Sequence, residues 1–85
     1  MKVIIFYRDA SEHGQAVREF LRDFQKQTGH HIEEVNPDSP SGSQIATTYD
    51  IMEFPTLLAV DDSGTMQNIW SGLPLPTISE VSYYV

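Results

Sequence analysis

Three polar residues near the N-terminus have the side-chain types of a hydrolase triad. Asp9, Ser11 and His13 stand at alternate positions of one short stretch. A serine hydroxyl becomes a nucleophile when a histidine takes its proton and an acid orients that histidine. Residues two apart on one loop seldom converge in this way, and the sequence shows no nucleophile elbow. We favour the simpler interpretation, in which Ser11 is the N-cap of a helix and accepts hydrogen bonds from free backbone amides.

Two other clusters carry metal-ligand side chains. His30 and His31 are adjacent, and adjacent strand residues point to opposite faces, so they make a poor chelating pair. Asp61 and Asp62 resemble a calcium loop only loosely, because no further ligands follow at regular spacing. We therefore expect surface histidines, a hairpin turn at residues 61 to 64, no metal site and no cofactor.

Composition excludes several classes of function. The chain contains no cysteine, which excludes disulfides, thiolate metal sites, cysteine nucleophiles and dithiol exchange. Twelve acidic and five basic residues give a formal net charge of −7, which disfavours nucleic acid and anionic membranes and favours a basic partner. No apolar run reaches the roughly 18 residues of a membrane span. Met1-Lys2-Val3 leads into a strand rather than a signal peptide, so we expect a cytoplasmic location.

The first half of the chain predicts a strand, a helix and a second strand. The 85 residues suffice for one domain, 1–85, with a modest core. The run Lys2 to Arg8 is β-branched and aromatic without alternation, which predicts a central strand covered on both faces. A helix is expected from about residue 12 to residue 28, with Gly29 as its C-cap. Its apolar residues recur at helical spacing: Val17, Phe20, Leu21 and Phe24. Residues 31 to 36 predict a short, exposed edge strand.

The second half predicts a helix, a hairpin and a last helix. Ser41 and Gln44 have the spacing of a capping box, which predicts a short helix carrying Ala46. Residues 56 to 60 and 66 to 70 predict two strands joined by the hairpin turn. Thr77 and Glu80 form a second capping box before a helix of about two turns. The result is an α/β fold of order β-α-β-α-β-β-α, a four-stranded mixed sheet with helices on both faces.

A proline at the mouth of the third strand gives the clearest family signal. Pro55 cannot donate a ladder hydrogen bond, so it belongs at a strand's first residue, at an edge or at a bulge. The order Tyr-Asp-Ile-Met-Glu-Phe-Pro-Thr-Leu-Leu over residues 49 to 58, the turn containing Gly64, and Trp70-Ser71-Gly72 resemble the thioredoxin-like superfamily. The element order is similar to its minimal, glutaredoxin-like form. This resemblance implies a cis Phe54–Pro55 bond that faces the active-site loop.

The same resemblance implies where the chemistry of the family would lie. Redox members carry Cys-x-x-Cys between the first strand and first helix, and the corresponding residues are Ser11, Glu12, His13 and Gly14. Neither a hydroxyl nor a glycine hydrogen performs thiol exchange, so we predict no catalytic residue. The family's groove would be formed by the following residues: Ser11, His13, Gly14, Phe54, Pro55, Thr56 and Gly72.

These observations predict a redox-inactive binding module that holds a protein, a peptide or a small thiol in the proline groove. Glutathione is the small-thiol candidate. The alternative is a vestigial or partner-dependent member of the thiol-disulfide oxidoreductases, which serve cell redox homeostasis. An unrelated enzyme built on the same fold is a third class.

Overall fold

The computed structural model describes residues 1–85 and confirms the predicted order of elements. These are β1 (Lys2–Phe6), α1 (Gly14–Thr28), β2 (Glu33–Val35), α2 (Pro40–Thr48), β3 (Thr56–Val60), β4 (Met66–Ser71) and α3 (Ile78–Ser82). The first strand ends earlier than predicted, the second is shorter, and β4 extends to Ser71.

The four strands form one mixed sheet in the order β2-β1-β3-β4. Strand β1 runs parallel to β2 and antiparallel to β3, and β4 pairs antiparallel with β3. All of β3 and all of β1 except Lys2 are buried, as expected for central strands without alternation. Strand β2 lies at one edge and is exposed or half-buried throughout, which confirms the predicted edge strand.

Each face of the sheet has its own apolar core. On one face Ile5 and Leu57 pack with Val17 and Phe24 of α1 and Val81 of α3. On the other face the sheet residues pack with α2 and the segment after it, through Ile4, Phe6, Leu58, Ala46 and Ile51. Helices therefore cover both faces, as predicted, and neighbouring residues of β1 and β3 serve opposite cores.

The start of α1 differs from the prediction. Ser11 is not the N-cap: its hydroxyl donates to the backbone oxygen of Arg8, a local bond that competes with capping. The helix begins at Gly14, and His13 is the N-cap residue, with helical backbone angles and no side-chain cap. The other end is as predicted, because Gly29 adopts the left-handed conformation with φ of 73°.

The start of α2 also differs. The predicted capping box of Ser41 and Gln44 is wrong, because Ser39 is the N-cap and accepts from the Gly42 amide at 3.0 Å. Pro40 then occupies the first turn, where its missing N–H costs nothing. The box at α3 is confirmed: Thr77 accepts from the Glu80 amide, and the Glu80 carboxylate accepts from the Thr77 amide.

The hairpin turn is confirmed as well. The Asp61 carboxylate accepts hydrogen bonds from the amides of Ser63 and Thr65, each at 3.0 Å. The Ser63 hydroxyl also donates to this carboxylate at 2.7 Å. That bond, followed by the amide bonds, holds the pKa of Asp61 below its usual value. No helix in the protein combines the length and the apolar character that a membrane span requires.

Candidate binding site at the proline loop

In the segment that joins β1 to α1, residues 8 to 14, several polar groups are paired with one another. The Arg8 amide donates to His13 Nε2 at 3.2 Å, and the Ser11 hydroxyl donates to the Arg8 oxygen. The Gly14 amide donates to the Ser11 oxygen at 3.2 Å. We call this segment the 8–14 loop. The side chains of Ser11 and His13 are therefore engaged within the protein, whereas the backbone amides of residues 9 to 12 make no hydrogen bond within it.

This arrangement rules out the hydrolase triad. A nucleophile and its base must lie within hydrogen-bond reach of each other. Ser11 and His13 instead bond separately to the backbone of Arg8, and they make no hydrogen bond to each other. The Asp9 carboxylate forms an ion pair with Arg18 and makes no hydrogen bond or ion pair with His13.

The fourth position of the predicted motif has no room for a side chain. A Cβ atom on Gly14 would lie 2.1 Å from the Asp9 backbone oxygen, a distance that real Cβ atoms do not approach. The obstacle is backbone, which cannot swing aside as a flexible side chain does. This loop therefore lacks both the sulfur atoms of the redox motif and the space for the second of them.

The proline predicted to shape a groove is buried at the start of β3. The Phe54–Pro55 bond is cis, and a second cis bond, Leu73–Pro74, was not anticipated from the sequence. The Pro55 oxygen accepts from the Gly72 amide at 2.7 Å, which joins the segments on either side of the β3–β4 hairpin. Thr56 is buried, and its hydroxyl donates to the Glu53 oxygen at 2.6 Å. Pro55, Thr56 and Gly72 thus lie together, as the groove prediction requires.

The 8–14 loop reaches this junction through one residue that sequence reasoning missed. The Arg8 guanidinium lies 4.7 Å from the centroid of the Phe54 ring, a cation–π geometry. Arg8 also donates two hydrogen bonds to the Asp38 carboxylate, at 2.9 and 3.1 Å. These bonds raise the pKa of Arg8 and lower the pKa of Asp38. No hydrogen bond joins Ser11, His13 or Gly14 to the proline segments.

Residues 52 to 55, which we call the proline loop, leave polar groups free. The backbone N–H and C=O of half-buried Phe54 make no hydrogen bond within the protein. The Glu53 carboxylate lies against Gly72: its Oε2 would be 2.5 Å from a Cβ atom there. Large apolar side chains flank these groups, with Met52 exposed by 85% and Leu73 by 60%.

The site is an open surface rather than an enclosed cavity. None of the three surface cavities is lined by a predicted groove residue. The cavity nearest the 8–14 loop has a volume of about 220 Å³ and is lined by Tyr7, Asp9, Glu34, Val35 and Asn36. His30 and His31 are both exposed, and no group of three or more metal-ligating side chains gathers in the chain.

No protein-family model and no curated protein matches this sequence. Solved structures are similar in fold. Thioredoxin 1 from the thermophilic eubacterium Thermosipho africanus TCF52B superposes with a TM-score of 0.69 at 18% identity, over 99% of this chain and 89% of that one. Oxidized thioredoxin O2 from Arabidopsis thaliana superposes with a TM-score of 0.70 at 12% identity, over 96% of this chain and 69% of that one. Taken with the sheet order and the buried proline, these matches give this cysteine-free chain the thioredoxin-like fold.

Proposed function

We propose that this protein is a binding module without thiol-disulfide exchange, and that it holds an extended segment of a partner protein at the proline loop. The observation that carries the proposal is the unpaired backbone of Phe54, whose N–H and C=O lie beside buried Pro55. Backbone groups that are buried in a folded protein are nearly always paired, with the protein or with ordered water. A residue that leaves both free at a partly buried surface is suited to pair with another chain.

Exchange chemistry is absent for two independent reasons. The reaction needs a thiolate that attacks a disulfide and a second thiol that resolves the mixed disulfide. The chain contains no cysteine, and the backbone at Gly14 admits no side chain. A partner that supplies one cysteine would still lack the resolving thiol at this position, which weighs against the partner-dependent redox alternative.

Backbone pairing alone gives a weak complex. A net hydrogen bond is worth about 0.5 to 1.5 kcal/mol, so a pair at Phe54 contributes about 1 to 3 kcal/mol before the cost of association. The exposed side chains of Met52, two residues before Phe54, and of Leu73, next to Gly72, offer further apolar area. After an association cost of at least about 4 kcal/mol, we expect a dissociation constant of about 1 mM, typical of transient recognition.

The test uses backbone amide shifts of the isotope-labelled protein. The probe is an equimolar pool of capped seven-residue peptides, free of cysteine and proline, randomised at the central positions. Movement of the Phe54 and Gly72 amides is expected, and no movement at millimolar peptide would overturn the proposal. Reduced glutathione in place of the pool tests the small-thiol alternative, and measurable reduction of insulin disulfides would refute the absence of exchange.

Two methionines provide a matched pair of variants for this titration. Met52→Ser removes an exposed side chain from the proline loop and is expected to weaken pool binding about two- to fivefold, for a loss of roughly one buried methylene or less. Met66 is also exposed, but it pairs with Val60 at the opposite end of β3 from Thr56. Met66→Ser should therefore leave binding unchanged, and equal weakening by both variants would place the binding surface elsewhere.

A further inference from the structure

Glu53 is a charged group of the proline loop with no partner inside the protein. Its carboxylate takes part in none of the ion pairs and accepts no hydrogen bond, although its backbone oxygen accepts from Thr56. Among the other exposed carboxylates, Asp38 and Asp9 are paired with arginines, whereas Glu12 and Asp50 are in no ion pair. Glu53 is thus an unneutralised negative charge one residue from the free backbone of Phe54.

The protein has no cation of its own to give to Glu53. Of the five lysines and arginines, four are paired elsewhere: Lys2 with Glu33, Arg8 with Asp38, Arg18 with Asp9 and Arg22 with Asp23. The fifth, Lys26, stands in the last turn of α1, the end of that helix remote from the 8–14 loop. A positive charge at Glu53 must therefore come from another molecule.

The Glu53 carboxylate lies against a glycine. Gly72 has φ of 73° and no side chain, so the carboxylate lies directly over its Cα. The Gly72 amide is in turn fixed to the Pro55 oxygen at 2.7 Å. These contacts place the negative charge at the junction where the Phe54 backbone is exposed to a partner.

We propose that Glu53 selects a lysine or arginine in the partner segment, adjacent to the residue that pairs with Phe54. This inference rests on the proposed function, because it names the kind of segment that the same surface takes. In the partner segment, one residue pairs through its backbone with Phe54, and the basic residue is its neighbour. Adjacent strand residues point their side chains to opposite faces, so the basic side chain can lie along the surface toward Gly72. The net charge of −7 adds a long-range attraction for basic segments.

The expected selectivity is modest. An exposed ion pair changes affinity by about two- to fivefold, and salt weakens it because the Debye length falls to about 3 Å at 1 M ionic strength. Arginine should exceed lysine, since its planar guanidinium can bind a carboxylate with two parallel hydrogen bonds.

The experiment compares three peptide pools that differ only in the fixed central residue, which is lysine, glutamine or glutamate. The wild type should bind the lysine pool about two- to fivefold more tightly than the glutamine pool, and the glutamate pool most weakly. Glu53→Gln should abolish this order, and 1 M salt should abolish it in the wild type.

The matched control is Glu19→Gln, which makes the same change of net charge on the exposed face of α1, where Glu19 accepts a hydrogen bond from Gln15. It should keep the wild-type order. Selectivity that survives Glu53→Gln, or that both variants lose equally, would overturn the role of Glu53 while leaving the binding surface intact. If no pool moves the Phe54 amide, the proposed function itself fails, and Glu53 with it.

Discussion

The 8–14 loop and the proline loop meet at the contact between Arg8 and Phe54. They differ in whether their polar side chains have partners inside the protein. In the 8–14 loop the side chains of Ser11 and His13 are bonded to the Arg8 backbone, and the Asp9 carboxylate is paired with Arg18. The proline loop leaves the Phe54 backbone and the Glu53 carboxylate without partners. We call the 8–14 loop the closed side, because its polar side chains bond within the protein, and the proline loop the open side, because the Glu53 carboxylate does not.

The largest expected effect comes from breaking the closed loop at Gly14. In Gly14→Ala the new Cβ meets the Asp9 oxygen at 2.1 Å, so the backbone must move. Alanine is favoured over glycine in a helix by about 1 kcal/mol. This stabilisation is smaller than the cost of the overlap with the Asp9 backbone. We expect a net loss of about 2 to 4 kcal/mol in the free energy of unfolding, measured by urea denaturation.

Gly72→Ala is the matching variant in the open loop. Its φ of 73° costs an alanine about 1 to 2 kcal/mol, but the obstacle is the flexible end of the Glu53 side chain, which can swing away. We expect a smaller loss of stability than for Gly14→Ala. An equal or larger loss in Gly72→Ala would contradict the contrast between a closed and an open loop.

Much of the fold was predictable because apolar patterns report burial directly. The unbroken runs of β1 and β3 and the spacing of Val17, Phe24 and their neighbours gave the central strands and the long helix. The box at Thr77 was recognisable because both of its partners lie three residues apart in sequence. The helix starts were less predictable where several residues could be the N-cap. In α2 the N-cap is Ser39, which precedes Pro40, and not the predicted Ser41.

The site was predictable only in part. Its features depend on distances between residues in the folded chain and on backbone groups that lack hydrogen-bond partners. The sequence indicated Pro55, Thr56 and Gly72, which the structure brings together. Nothing in the sequence shows that a Cβ at position 14 would meet the Asp9 backbone, or that Phe54 keeps its backbone unpaired. Arg8 was missed because its two partners, Asp38 and Phe54, lie far from it along the chain.

Tyr7 extends the internal pairing of the closed side. It is 8% exposed, and its hydroxyl donates to Glu34 Oε1 at 2.6 Å. Burial, followed by the hydrogen bond and the charge of Glu34, raises the pKa of Tyr7 from 10.0 to about 12. The folded-state pKa of Tyr7 lies above its unfolded-state value. The contribution of the protonated Tyr7 hydroxyl to the free energy of unfolding is therefore complete below pH 10 and is lost as pH rises from 10 to about 12.

Removing that hydroxyl gives the second prediction. Tyr7→Phe should lower the free energy of unfolding by about 1 to 3 kcal/mol at neutral pH, because a hydrogen bond to a charged group is lost. The variant should also lack the corresponding fall in stability between pH 10 and 12, measured by denaturation across that range. Tyr49→Phe is the control: it loses the exposed bond to the Gly64 oxygen and should retain the alkaline fall. An unchanged alkaline profile in Tyr7→Phe would assign that fall to another group.

The smallest expected effect is the sharpest test of the open loop. Since the Glu53 carboxylate has no internal partner, Glu53→Gln should change the free energy of unfolding by less than about 0.5 kcal/mol. Asp38→Asn makes the same loss of charge on the closed side, where Arg8 lowers the pKa of Asp38, and it should be measurably destabilising at neutral pH.

That destabilisation has a definite pH dependence. The depressed pKa of Asp38 stabilises the fold above the unfolded-state value of about 3.9, and the contribution is lost as pH falls through the folded-state pKa. The difference in the free energy of unfolding between wild type and Asp38→Asn should therefore shrink in acid. A neutral-pH penalty for Glu53→Gln as large as that for Asp38→Asn would mean that the Glu53 charge serves the fold, and the case for reserving it for a partner would fail.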